Sequence, residues 1–471
     1  MVRLALLIRS LACGTLLVLL AASGPARAQQ QQTDAAQEAT MEATPQDAFV
    51  RVEGEQFMIG ERPYDFLGVN LWYGMNLGST GEAGNRERLV RELDRLEEMG
   101  VTNLRVMAAS AGPASEPWRV KPALQPEPGV YDEDLLRGLD FLLAEAGKRD
   151  MRLVLVLNNF FQWTGGMAQY VSWATGTDIP YPHDEEHSWT EFQEYAARFY
   201  KNDEAQQHFL DLINTLVHRT NTITGQPYRA DPTIMAWQLA NEPRGFSKSE
   251  AYTEWVRETA GIIQLMDENH LVSLGGEGKL EGNTGTQFKR VSRMDALDYL
   301  TAHLWIENWG WYEPEQPEET FSTAVGRIMG YVADHAALAR QIGKPLVFEE
   351  FGISRDGGAY DPEVPTTYRD RYYQTLFETL YRLAQEDGAV AGGNVWSWSG
   401  DGRPDDPGSY WEAGDPFTGD PPHEKQGWYS IYEGDERTLG IIARYARLMD
   451  ELGAPAETNE TAAVQESGDA E

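Results

Sequence analysis

Ile234-Met235-Ala236-Trp237-Gln238-Leu239-Ala240-Asn241-Glu242-Pro243 and Pro345-Leu346-Val347-Phe348-Glu349-Glu350-Phe351-Gly352 decide the fold of this chain. Each is a short apolar run closed by acidic residues. Runs this short and this continuously apolar read as strands covered on both faces, as in a parallel sheet, and not as half-buried strands of alternating polarity. A carboxylate at the carboxyl end of a buried parallel strand is costly unless chemistry uses it. Glu242, Glu349 and Glu350 are therefore the first candidates for function.

Six further runs have the same character: Phe66–Asn70, Asn103–Met107, Arg152–Leu157, Leu271–Leu274, Tyr299–His303 and Asn394–Trp398. Most are separated by stretches with an apolar stripe of helical period. Between Asn85 and Met99, for example, Leu89, Val90, Leu93, Leu96 and Met99 share one face. Asp132–Lys148, Asp203–Arg219, Glu250–Met266, Thr320–Gln341, Thr366–Ala384 and Thr438–Leu452 behave alike, whereas the gap between the fifth and sixth strands is weakly helical. Eight strands alternating with helices predict an α/β (β/α)8 TIM barrel. Phe49–Phe57 and Met58–Tyr64 predict a small N-terminal hairpin closing the barrel floor. The competing architecture, a doubly wound open sheet, would carry a Gly-rich phosphate turn after an early strand, and the sequence has none.

The ends read differently. Arg3 and Arg9 precede the apolar stretch Leu11 to Ala22, and Ala26-Arg27-Ala28 supplies small residues at a cleavage point, so 1–28 is expected to be a secretory signal peptide. An uncut anchor is the alternative. Residues 29–47 read as a disordered linker, 48–454 as the catalytic domain and 455–471 as an acidic disordered tail whose Asn459-Glu460-Thr461 sequon matches by chance. Cys13 is the only cysteine, so the mature chain has no disulfide or thiolate metal site. The formal charge is −35, and a surface this acidic excludes nucleic acid and anionic membranes as partners. A secreted monomer, extracellular or periplasmic, without membrane attachment after cleavage, is the expectation.

In such a barrel chemistry sits where strands end. Those ends offer Asn70, Trp72 and Tyr73; Arg105 inside the second strand; Asn158 and Asn159; Asn241 and Glu242; His303 and Trp305; Glu349 and Glu350; and Trp396 and Trp398. Two carboxylates on different strands are what a retaining glycosidase requires. The chain has 14 Trp, and flat rings near strand ends, Trp72, Trp163, Trp305 and Trp396 among them, suit the apolar faces of pyranose sugars. The aromatic segment from Phe160 to Trp189 is expected to be a long loop walling one end of the cleft. His183 and His187 within it, beside Asp184, Glu185 and Glu186, are read as solvated and not as a metal site. No metal or cofactor is expected.

Asn241-Glu242-Pro243, Glu350-Phe351-Gly352 and His303 together resemble glycoside hydrolase family 5. Gly68-Val69-Asn70, Leu104-Arg105-Val106, Gly276-Glu277-Gly278 and Lys344 to Gly352 are most similar to its β-mannanases, over roughly residues 48 to 453. The resemblance implies Glu242 as acid/base and Glu350 as nucleophile, acting on mannan, galactomannan or glucomannan. Glu349 remains the neighbouring candidate, since alternation lets only one of the two face the cleft. Substrate contacts are expected from Arg105, Asn158, Asn241, His303, Trp305, Trp396, Trp72 and Trp163, with Trp398 as the alternative to Trp396. Arg105 is expected to favour an ionised Glu350, and Glu242 to need a dry, aromatic setting that raises its pKa. The family often has a tyrosine two residues after the histidine to orient the nucleophile. Trp305 stands there instead, leaving Tyr73 or Tyr312 as substitutes. An exo-acting β-mannosidase, a β-1,4-glucanase of the same family and a non-catalytic carbohydrate-binding barrel are the alternatives to an endo-mannanase.

Overall fold

The structure is a computed structural model that describes residues 48–453, apart from 185 and 281. The expected signal peptide, linker and acidic tail, with Cys13 and the sequon, lie outside the described residues. Among the described residues no helix is long and apolar enough to cross a membrane.

The chain opens with an antiparallel sheet, β1 (Val50–Glu53), β2 (Gln56–Ile59) and β3 (Arg62–Pro63), turned at Gly54 and Gly60, both with positive φ. Its apolar face supplies Val50 and Phe57, which pack with Val154, Met235, Leu271, Tyr299 and Val347 from the amino-terminal ends of barrel strands. Phe57 is 1% exposed and meets Tyr299 edge-on at 5.2 Å. Burying one such ring is worth roughly 2–3 kcal/mol, enough to seal the floor firmly. The expected hairpin is present, with one strand more.

Above it run eight parallel strands: β4 (Phe66–Asn70), β5 (Asn103–Met107), β6 (Arg152–Val156), β7 (Ile234–Gln238), β8 (Leu271–Ser273), β9 (Leu300–Leu304), β10 (Leu346–Phe351) and β11 (Val390–Val395). They pair in the order β8-β7-β6-β5-β4-β11-β10-β9, and every one is buried along its length. The ladder is open between β8 and β9. That seam is stitched by Asp298 N to Val272 O at 2.8 Å and His303 N to Glu277 O at 2.9 Å. The barrel is thus nearly closed, as a (β/α)8 reading requires.

The helices keep the expected faces. Arg86–Glu98 is capped by the Asn85 side chain, and Glu133–Gly147 by Asp132, which accepts from the amides of Asp134 and Leu135. The weakly helical gap holds the helix Gly282–Val291. Two expectations are corrected. The eighth strand is Val390–Val395, not Asn394–Trp398, because Gly392 and Gly393 dilute its strand signal. Packing demands Gly392: a Cβ there would lie 2.7 Å from the Phe66 ring. The segment 160–189 is also no plain loop, since Gly166–Thr175 is helical. Met167, Ala168, Tyr170 and Val171 are all buried, so the helix has no polar stripe to reveal it.

Candidate active site

Arg105 is the hub on which the strand ends converge. Its guanidinium is 2% exposed, donates from Nε to Gln238 Oε1 at 2.8 Å, from Nη1 to Asn70 Oδ1 at 3.1 Å and from Nη2 to Asn241 Oδ1 at 2.8 Å, and makes a short Nη1 contact with Glu350 Oε1. Four strands are thereby tied through one rigid planar fork, β4, β5 and β10 with β7 and the turn after it.

Both glutamates of β10 point inward. Pairing with β9 slips between Phe348 and Glu350, and this irregularity cancels the alternation that would have turned one outward. Their partners separate them. Glu349 is fully buried and accepts from Gln238 Nε2 at its two oxygens, 2.8 and 2.9 Å away, with Arg105 Nε 3.7 Å away. Burial raises its pKa, against the opposing charges of Arg105 and His303. Glu350 instead faces the cleft, where Arg105 holds one oxygen and His303 Nδ1 lies 3.2 Å from the other.

Glu242 follows β7 with left-handed backbone, φ +47°. For a residue with a Cβ this costs of order 1–3 kcal/mol. It is held by flanking main-chain bonds, Asn241 N to Asn158 O at 2.9 Å and Glu242 N to Gly275 O at 2.8 Å. Its Oε1 accepts from His303 Nδ1 at 2.7 Å and Trp305 Nε1 at 3.3 Å, and its Oε2 from Arg244 Nη2 at 2.9 Å. Arg244 also bonds Glu277 at 2.9 Å, and Lys279 bonds Glu277 at 3.0 Å.

The expected raised pKa of Glu242 is not what this setting produces. Burial pushes the carboxyl up, but the His303 hydrogen bond and the charges of Arg244, His303 and Lys279 outweigh it and hold it at about 2. Burial likewise pushes His303 down, and the charge of Glu350 with hydrogen bonds to both carboxylates overrides that, raising it to about 10. The low carboxyl and the high imidazole describe one shared proton, held between the two groups and not on Glu242 alone. A donor atom from each of Glu242, His303 and Glu350 lies within 4.8 Å of the others.

The cleft over these groups has a volume of about 620 Å³. On one side its wall is double. His183, from the segment after β6, donates from Nε2 at 3.0 Å to the carbonyl of His423, which follows β12 (Trp398–Gly400). The His423 ring lies parallel to Trp163 at 6.3 Å, and His183 stacks on Trp118 at 4.6 Å. Burial, with His183 beside it, drives His423 down to about 3, so the wall is uncharged. Next to it Glu424 faces the cleft with Oε2 unbonded; burial, then the charges of Asp420, Glu350 and Glu242, push its pKa well above the usual carboxylate range. That shift favours the protonated form, which can donate to a sugar hydroxyl.

The sequence pattern of the β-mannosidase-like proteins of glycoside hydrolase family 5 matches residues 47–453. The chain belongs to that family. A family 5 mannosidase from Rhizomucor miehei is similar over 87% of this chain and 99% of its own, with 39% identity and a TM-score of 0.81. A mutant of it was solved with mannosyl-fructose, again 39% identical with a TM-score of 0.81, covering 87% of this chain and 100% of its own. Mannan endo-1,4-β-mannosidase 7 of Arabidopsis thaliana is 31% identical over 75% of this chain and 79% of its own. Mannan endo-1,4-β-mannosidase 5 of Solanum lycopersicum is 31% identical over 74% and 80%. This is a family 5 glycosidase, a mannan-degrading enzyme.

Among the residues singled out from the sequence, Asn241, Glu242, Trp163, Trp305, Glu350 and Trp396 line the family 5 cleft. Arg105 and His303 lie beneath it and act on the carboxylates. Two others sit further back. Asn158 uses Oδ1 to accept from Asn159 N at 2.8 Å, and Trp72 donates to Gly419 O at 2.8 Å behind Trp163. Trp398 does not share a face with Trp396: Trp396 lines the cleft, whereas Trp398 lies off it with Nε1 bonded to Glu92 at 2.9 Å. Neither Tyr73, bonded to Trp398 O at 3.0 Å, nor Tyr312 lines the cleft, and Trp305 bonds Glu242 where a phenol was expected to orient the nucleophile. Arg244, Lys279, His423 and Glu424 were missed. Arg244 was legible as the residue after Asn-Glu-Pro, whereas nothing marks His423 and Glu424 within the long segment after β12.

Proposed function

We propose that this enzyme releases single mannose units from the non-reducing ends of β-1,4-linked manno-oligosaccharides, by double displacement with retention. The observation that carries the exo reading is the joined wall, in which His183 meets the His423 carbonyl at 3.0 Å and His423 covers Trp163. Glu242 protonates the leaving oxygen, so the leaving sugar lies on its side of the cleft, toward Arg244, Lys279 and Trp309. The exo reading takes the joined wall to close the far side of the cleft, where an internal stretch of polymer would have to continue, so that only a terminal residue fits against it.

Retention is supported by the proximity of the two carboxylates, with oxygens within 4.8 Å. Retaining enzymes hold the groups about 5–5.5 Å apart, too close to admit a water between them. Glu350 attacks the anomeric carbon while Glu242, drawing on the proton shared with His303, protonates the departing oxygen. Glu242 then takes a proton from the water that releases mannose. Asn241, its Oδ1 engaged by Arg105 and one Nδ2 hydrogen given to Asn159 Oδ1 at 3.3 Å, has the other Nδ2 hydrogen for the sugar 2-hydroxyl.

Digestion of mannohexaose tests this directly. Mannose alone in the first minutes, formed initially as the β-anomer by proton NMR, is the expected result. Mannobiose and mannotriose as first products would establish the endo reading instead, which the names of the plant relatives favour. The segment Arg3 to Ala28 supports export, and amino-terminal sequencing of the native product should begin after Ala28.

A further inference from the structure

Beside the catalytic cleft lies a second groove of about 740 Å³, whose lining includes Lys279, Trp309, Trp311, Arg327, Tyr331 and Asp334. Lys279 and Trp309 line both spaces, so the two adjoin. The junction is on the Glu242 side: Lys279 bonds Glu277, and Glu277 bonds the Arg244 that holds Glu242.

The groove is built and held. The turn after β9 is fixed by Trp309 N to Trp305 O at 2.9 Å and Trp311 N to Ile306 O at 2.8 Å, with Gly310 at φ +63° allowing the reversal. Trp309 and Trp311 meet at 5.0 Å, and both contact Tyr331, at 5.3 and 6.0 Å. Tyr331 in turn donates to His303 O at 2.8 Å, tying the helix Pro317–Ile342 to the end of the catalytic strand. Lys279 stands over Trp309 at 5.5 Å and Arg327 over Trp311 at 5.9 Å. Both tryptophans remain partly exposed. Partly exposed aromatic rings, each with a cation over one face and with Asp334 nearby, suit neutral sugar rings, whose C–H faces stack on the remaining ring surface while their hydroxyls find polar partners.

We propose that this groove binds the outer sugar units of the leaving manno-oligosaccharide, so that the enzyme prefers chains to the disaccharide. The proposal rests on the exo reading above, since it takes the Glu242 side as the side where the chain continues. It makes Trp311 and Arg327, outside the catalytic cleft, determinants of chain-length preference.

The test is kcat/KM on mannobiose and on mannotetraose for the parent, Trp311→Ala and Arg327→Ala. The parent should favour mannotetraose by roughly tenfold, and each variant should cut that ratio, Trp311→Ala by about fivefold or more. A ratio unchanged in both variants overturns the proposal. So does an equal fall on both substrates, which would mean general damage. If the parent instead yields mannobiose as its first product from mannotetraose, the exo reading itself has failed, an outcome distinct from either.

Discussion

His303 Nδ1 is 2.7 Å from Glu242 Oε1, and the same nitrogen is 3.2 Å from Glu350 Oε2. One imidazole therefore serves both carboxylates, and its raised pKa, about 10, with the lowered value of Glu242, about 2, describes a proton shared by the pair. The alkaline fall in kcat/KM should then reflect loss of a proton from the pair and not from an ordinary carboxyl. Replacing His303 with Ala leaves Glu242 to hold the proton alone. The alkaline limb is expected to move down by at least about one pH unit, with kcat lowered roughly 10²-fold. A pH–rate profile of the variant with an unmoved limb would rule the imidazole out. The sign for stability is separate. His303, raised in the fold, stabilises fully below about 6.5 and loses this as pH rises through about 10, while Glu242, lowered in the fold, stabilises above about 4.5 and loses this as pH falls through about 2.

Glu349 and Glu350 differ in partners more than in place, and substitution should separate them. Glu350→Gln removes the attacking carboxylate and is expected to lower kcat by about 10⁴-fold or more with little change in melting temperature. Glu349→Gln retains a side chain of the same shape, but its new amide group meets the Gln238 donor. It is expected to cost about 1–3 kcal/mol of stability and far less activity. Thermal unfolding and initial rates on a manno-oligosaccharide, measured together, check both halves. Equal losses of activity would remove the distinction.

The barrel was legible because its strands are buried on both faces, so apolar runs such as Asn103–Met107 mark them without ambiguity. Glu242 and Glu350 were legible because a carboxylate closing such a run stands out. What escaped the sequence depends on geometry that residue type does not encode. The pairing slip at Phe348–Glu350 turned both glutamates inward, and Gly392, required beside Phe66, hid most of the last strand. The helix after Gly165 has no polar stripe, and the next helix, Trp189–Ala196, went unread although Ser188 and Glu191 form a capping box at its start. The residues that wall the cleft, His183 and His423, lie 240 positions apart and meet only in the fold.

Asp65, just ahead of β4, is 9% exposed, and burial raises its carboxyl from 3.8 to about 7. Its ionised form is favoured by unfolding. The penalty is absent below about pH 4, grows as pH rises toward 7, and then levels off. A tenfold change in the acidity of a group on folding corresponds to about 1.4 kcal/mol, an upper bound for a side chain not wholly dry. Asp65→Asn is expected to raise stability by about 1–3 kcal/mol at pH 8 and by almost nothing at pH 4. Denaturant unfolding at the two pH values checks this, and a gain independent of pH would mean that titration of Asp65 is not its source.

Glu424 offers the sharpest test of how the walled end of the cleft works. Burial and three neighbouring acids, Asp420, Glu350 and Glu242, push its pKa up and favour the protonated carboxyl, and its Oε2 has no hydrogen-bond partner. A neutral acid in a sugar pocket acts as a hydrogen-bond donor, and the amide of glutamine supplies the same donor without a charge to titrate. Glu424→Gln is therefore expected to retain kcat/KM within about threefold, whereas Glu424→Ala removes the donor and should lose roughly 10–100-fold, about 1.4–2.7 kcal/mol of transition-state binding. If instead Glu424 acts as a carboxylate, the glutamine variant will fall as far as the alanine one. Measuring both on mannobiose, where a single mannose occupies the walled end, decides between them.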